Sequence, residues 1–362
     1  MKITRVEIGS AIAILVIAAS VILTGVNVTI AQGGTSDTYL DYTCNGPVKS
    51  ITITASYVRV HDCEIVGSTS HGIRVGGDGK DVHDVIIENN VVRNSITENG
   101  VYPSCGSNSW GSGIKIAWGA HNVIVRGNSV HDTCGEGIAA TRAPSVTIEN
   151  NLAFNNWAGN IYTDASQATI ISGNSVTCEA VTVSGRQSFG IMAGHEYYAG
   201  WTGSRNGVQI LNNIVSGCSD GINVFGAEAG AVNTTFSNAV IDGNTVVKGG
   251  RYAIHISSSV VTSNVRISNN RSYILPTGKL SGVTLSNNVI YMGPIVTPAT
   301  STPGVSTNTP AVVATATRTL TATRTLVPPS VTPTPTTTPL VTPVVVWQCT
   351  VSPTKINCQV VP

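Results

Sequence analysis

The sequence predicts an all-β solenoid of about nine coils, each built from short parallel strands, followed by an extended stalk. Three observations predict it. First, eight turns begin with Gly or Asn and continue with Asn: Asn89-Asn90, Gly127-Asn128, Asn150-Asn151, Gly173-Asn174, Asn212-Asn213, Gly243-Asn244, Asn269-Asn270 and Asn287-Asn288. Only Gly and Asn enter the left-handed backbone region at low cost, so the restriction reports a fixed bend. Second, Asn128, Asn151 and Asn174 are spaced by 23 residues, a solenoid period. Third, apolar residues alternate around each bend, as in Val85-Ile86-Ile87-Glu88-Asn89-Asn90-Val91-Val92, which is the pattern of strands with one buried face.

A further strand completes each coil. It recurs as Gly72-Ile73-Arg74-Val75, Gly113-Ile114-Lys115-Ile116, Gly137-Ile138-Ala139-Ala140, Asn160-Ile161-Tyr162-Thr163, Gly190-Ile191-Met192-Ala193, Gly221-Ile222-Asn223-Val224 and Ala253-Ile254-His255-Ile256. No stretch between 35 and 293 has helical apolar spacing. Each coil therefore reads as three strands, and longer gaps between bends read as insertions.

On these turns and strands, residues of about 40–293 resemble the right-handed parallel β-helix of the pectate-lyase-like superfamily, in which stacked Asn side chains form a ladder. The superfamily holds lyases, hydrolases, epimerases and non-catalytic adhesins, so the resemblance implies the fold and leaves the chemistry open. Cys63 stands where the first coil would carry a ladder Asn, which fits an atypical terminal coil.

The ends of the chain differ from this middle. Lys2 and Arg5 precede an apolar run at 11–23, so residues 1–31 read as an export signal, cleaved near Thr29-Ile30-Ala31 or retained as a membrane anchor. The solenoid is placed at 35–293. Residues 294–346 are rich in Thr, Pro, Val and Ala and read as a disordered linker or stalk, followed by a short tail at 347–362. Export places the protein outside the cell or on its surface, an oxidising setting for the eight cysteines. Cys178 and Cys218 follow their ladder asparagines by similar offsets, which pairs them across adjacent coils; Cys105 with Cys134, Cys44 with Cys63, and Cys349 with Cys358 are the remaining expected disulfides. A net charge of +1 with 11% charged residues gives no polycation, so no nucleic-acid partner is expected.

Insertions cluster on either side of the Gly-Ile-x-Val strand, at 94–112 and 179–189 before it and 195–206 and 226–238 after it. Loops raised on both flanks of one strand face predict a groove along it. Trp118, Trp157, Tyr198 and Trp201 fall in or beside these segments and suit sugar rings, which makes a polysaccharide the expected partner. Arg74, His195, Asn223 and His255 are further expected contacts.

Three functions fit such a groove. In β-elimination on a uronate polymer, Lys115 would be the base, Arg142 or Arg74 the carboxylate partner and Tyr162 the acid. A glycoside hydrolase would use Asp164 and Glu196 as its carboxylate pair. A non-catalytic glycan-binding or adhesive surface protein needs only the groove. No metal ligand or cofactor is assigned; calcium has only Asp78, Asp81 and Asp84 as candidates, and turn chemistry also explains these.

Overall fold

The computed structural model describes residues 25–178, 189–196, 198, 205–226, 235–247 and 249–291, together with the backbone of 346–352 and 355–361. The apolar run at 11–23, most of the linker and Trp201 lie outside the described residues. Within them the chain is a right-handed parallel β-helix. The Gly-Ile-x-Val strands form a first sheet of ten, running from Asn27–Ile30 to Thr277–Gly278. A second sheet of ten precedes the bend, from Leu40–Thr43 to Val283–Ser286, and a third follows it, from Glu64–Val66 to Val289–Ile290.

The bend is set by the residues that predict it. Asn89, Asn150, Asn212, Asn269 and Asn287 have φ between 53° and 56°, and Gly127, Gly173 and Gly243 between 64° and 67°. The second residue of each turn points inward, and its amide donates to the amide oxygen of the next coil. Asn90, Asn128, Asn151, Asn174, Asn213, Asn244, Asn270 and Asn288 are joined in this way at 2.9–3.0 Å. Cys63 occupies the same place in the first coil, where its N–H donates to Asn90 Oδ1 at 3.0 Å. At Gly127 a Cβ would also meet Asn89 Oδ1 at 2.5 Å, so that amide would have to turn aside. Gly127→Val, strained both there and in its backbone, should lower stability by about 3 kcal/mol or more in chemical denaturation. Wild-type stability in that variant would contradict this account of the bend.

Inside the coil, alternation places one side chain per strand above its equivalent. Ile51, Ile73, Ile114, Ile138, Ile161, Ile191, Ile222 and Ile254 stand in register and are fully buried. Each contributes about 1.5–3 kcal/mol by burial. Disulfides join Cys44 to Cys63, Cys105 to Cys134 and Cys178 to Cys218.

Two boundaries differ from expectation. Asn27–Ile30 pairs with Ser50–Ile53 as the first strand of the sheet, and Ile30 is buried. The solenoid thus starts ahead of residue 35, and cleavage after Ala31 would remove this strand. The segment was hidden because it continues the apolar character of the run at 11–23. At the other end, Val346–Ser352 and Lys355–Val361 form an antiparallel hairpin that extends the third sheet next to Val289–Ile290. Cys349 and Cys358 are directly opposed in its backbone register; their side chains lie outside the described ones.

Candidate functional site

Register places the outward positions of the first sheet in one row: Arg74, Lys115, Ala139, Tyr162, Met192, Asn223, His255 and Thr277. Adjacent members are about 4.8 Å apart. The row is divided. Ala139, Tyr162 and Met192 are buried in an apolar cluster with Phe189 and Phe225 packed against it, and polar groups lie on either side.

On the N-terminal side, Lys115 Nζ lies 3.5 Å from Glu136 Oε2, and the Ser112 hydroxyl donates to the same oxygen at 2.6 Å. The Ser112 N–H donates to His71 Nδ1 at 3.1 Å. Burial, then the charges of Lys115 and Arg74, depress the His71 pKa to about 4. The ring is therefore neutral near pH 7 and carries its proton on Nε2. Arg74 reaches Asp78 at 3.8 Å across an exposed turn, a contact of little energetic weight.

The ends of three strands of the first sheet, and the loop beyond, bring Trp118, Arg142, Asp164, Glu196 and Tyr198 together. Arg142 follows the strand Glu136–Thr141 with φ at 50°, a conformation that costs a residue with a bulky side chain. Its guanidinium carbon lies 4.7 Å from the Trp118 ring centre and 4.2 Å from that of Tyr198. Trp118 is 41% exposed, and its ring packs over the turn at Gly79 (φ +73°), where a side chain would crowd it. Among the described residues, Arg142 Nε is buried without a hydrogen-bond partner and no carboxylate pairs with the guanidinium.

Beside Arg142, Tyr198 donates its hydroxyl to Asp164 Oδ2, the Glu196 N–H donates to Asp164 Oδ1 at 3.0 Å, and Tyr162 donates to Glu196 Oε1 at 3.0 Å. Burial first, then the Asp164 and Glu196 charges, raise the Tyr162 pKa well above its ordinary value. Burial and Asp164 raise that of Tyr198. Both phenols are thus held as proton donors. Asp164 is fully buried with each oxygen accepting a hydrogen bond, an arrangement that orients Tyr198 and Glu196 and keeps its carboxylate from solvent.

On the C-terminal side, Asp220 accepts from Arg251 Nε at 3.0 Å and Nη2 at 2.7 Å, and from Asn223 Nδ2 at 2.9 Å. His255 stacks on Tyr252 at 4.0 Å.

Other candidates are placed elsewhere. Trp157, expected on the groove, is 8% exposed and packs with Ile96, Cys105 and Cys134, fixing the disulfide-closed loop onto the barrel. His195 is buried at 1% exposure. Asp78, Asp81 and Asp84 face Arg74, His121 and His83 respectively, and among the described residues no group of three or more potential metal ligands converges.

Glu136, Asp220, Arg251 and His71 were not anticipated. Glu136 and Asp220 each stand directly before the Gly-Ile of their strand, on a second outward row shared with Ser112 and Tyr252. An acid repeated at that offset was the available signal.

Among solved structures, the chain is similar to PfbA, a surface adhesin of Streptococcus pneumoniae, at 12% identity over 73% of this chain and 72% of that one, with a TM-score of 0.46. It is also similar to a mannuronic acid specific polysaccharide family 6 lyase enzyme from human gut microbiota, at 12% identity over 73% and 78%, TM-score 0.38. A third is tailspike protein gp49 from Acinetobacter baumannii bacteriophage Fri1, a capsular polysaccharide depolymerase, at 12% identity over 73% and 49%, TM-score 0.36. No curated protein sequence matches with significance. The family model for the right handed beta helix region matches residues 13–195, just over half of the chain. With three parallel sheets and a continuous asparagine ladder, the chain belongs to the right-handed β-helix family.

Proposed function

We propose that this is an exported or cell-surface protein that binds an acidic polysaccharide along the N-terminal half of the first sheet and cleaves it by β-elimination. Arg142 carries the proposal. A guanidinium that no carboxylate among the described residues pairs with, walled by Trp118 and Tyr198, fits a uronate: the planar fork suits its carboxylate, and an exposed indole suits the C–H face of its ring.

The neighbouring rungs supply the rest. Arg142 neutralises the carboxylate, which makes the adjacent C–H more acidic. Lys115, one rung before Ala139, removes that proton; Glu136, 3.5 Å away, is the nearest acceptor for the proton Lys115 must first lose. Tyr162, the expected acid one rung after Ala139, is held protonated but buried with its hydroxyl on Glu196 Oε1. The proton for the departing glycosidic oxygen is therefore assigned to Tyr198, the half-buried phenol beside Arg142 that is likewise held protonated. Hydrolysis by Asp164 and Glu196 is less well supported, because Asp164 is sequestered from solvent.

Lys115→Ala should lower kcat by about 10²–10⁴-fold, the usual contribution of a general base, while changing polymer affinity little. Unchanged kcat would remove Lys115 from the mechanism, and loss of turnover in Glu196→Gln alone would favour hydrolysis. Wild-type binding without turnover, weakened by Trp118→Ala, would leave a glycan-binding surface protein.

A further inference from the structure

We propose that Asn223 and His255 form a second, separate site on the same sheet, one that takes neighbouring hydroxyls of a neutral sugar. Asn223 leaves the strand Asp220–Val224 on its outward side, between the core residues Ile222 and Val224. Its Nδ2 donates to Asp220 Oδ2 at 2.9 Å. An ionised carboxylate only accepts, so this bond fixes the amide orientation and leaves Oδ1 as the opposite end. Asn223 is 7% exposed, and among the described residues Oδ1 has no hydrogen-bond partner. A buried acceptor in this state is costly, and a ligand hydroxyl would satisfy it.

The next rung supplies a complementary group. His255 pairs in register with Asn223, lies parallel to Tyr252 at 4.0 Å and 9°, and has Nδ1 3.2 Å from Thr277 Oγ1. Burial lowers its pKa, and Arg251 adds to this while Asp220 opposes it, so the imidazole is neutral near pH 7. An amide oxygen that accepts and an imidazole that donates or accepts, about 4.8 Å apart along the sheet, match adjacent sugar hydroxyls. Arg251 does not turn the site toward acids, because Asp220 takes two of its donors and its guanidinium lies over Tyr252 at 4.7 Å. Here the contrast with Arg142 is chemical: among the described residues no carboxylate pairs with the Arg142 guanidinium, whereas Arg251 is already paired with Asp220.

The apolar cluster of Tyr162, Met192, Phe189 and Phe225 separates the two sites, so this proposal does not depend on cleavage at the first. It is tested on the full chain carrying Arg142→Ala, titrated with mannotetraose, galactotetraose and xylotetraose while the His255 ring is followed by NMR. At least one neutral tetrasaccharide should shift the His255 resonances saturably. Asn223→Leu should weaken that binding by roughly tenfold, the scale of one hydrogen bond. His255→Phe, which keeps the stacking but no ring nitrogen, should weaken it similarly and covers the case in which Asn223→Leu does not fold. The proposal is overturned if none of the three shifts His255, if binding survives both substitutions, or if Asn223→Leu raises the melting temperature and leaves binding unchanged. Neutral binding here with no acidic polymer bound by the wild type would refute the Arg142 proposal alone; the reverse result would refute this one alone.

Discussion

Arg142→Ala is expected to reduce affinity for acidic polysaccharides by roughly 30-fold or more, the loss that follows when one partner of a desolvated charge pair is removed. Arg142→Lys should recover only part of it, since a lysine keeps the charge but not the planar fork. Arg142→Gly makes the sharper test. Position 142 has φ at 50°, where glycine is unstrained and arginine is not. If the strained conformation is maintained for binding, Arg142→Gly should lose affinity as Arg142→Ala does, while its melting temperature holds or rises. A glycine variant that unfolded at much lower temperature would instead make Arg142 a structural residue, clamped by Trp118 and Tyr198 for packing.

The largest stability loss is expected at the centre of the ladder. Asn151 Nδ2 donates to Val125 O at 2.9 Å and to Asn174 Oδ1 at 3.0 Å, and Asn151 Oδ1 accepts from the backbone N and Nδ2 of Asn128 at 2.9 and 3.0 Å. Asn151 is 1% exposed. Truncation to alanine strands several buried groups at once, each costing about 1–3 kcal/mol. The sum should be about 4 kcal/mol or more, enough to separate unfolding of the two halves of a stack in which each coil contacts mainly its neighbours. Denaturant titration with hydrogen exchange on both sides of the substitution would check this. A loss below about 1 kcal/mol would mean that water replaces the amide, so that the ladder is not a main support of the fold.

How much of this was legible depended on how local the cause was. The bend residues are chosen by backbone conformation at a single position, so Gly and Asn announced eight of the bends, while the first, with Asp62 at φ 52° before Cys63, carries neither. The outward row from Arg74 to His255 followed from strand alternation and came out in register. By contrast, the close approach of position 127 to the Asn89 amide in the preceding coil is visible only in three dimensions. Arg142 meets Trp118 and Tyr198 because strand ends and a distant loop converge, and nothing near residue 142 in sequence names those partners. Trp157 and Trp118 look alike in sequence beside their strands. One fills a satellite core and the other stays exposed, a difference decided by the loop that Cys105 and Cys134 hold over Trp157. The centre of the outward row was expected to floor an open groove, but Tyr162 and Met192 prove to be buried with Phe189 and Phe225 packed against them.

The most direct test of the central claim is to incubate the purified protein with polygalacturonate, alginate and a neutral glycan, recording ultraviolet absorbance of unsaturated uronate alongside new reducing ends. The account predicts that an acidic polymer yields both signals together, that Lys115→Ala yields neither, and that the neutral glycan is not cleaved. Reducing ends without unsaturated product, or cleavage confined to the neutral glycan, would contradict it.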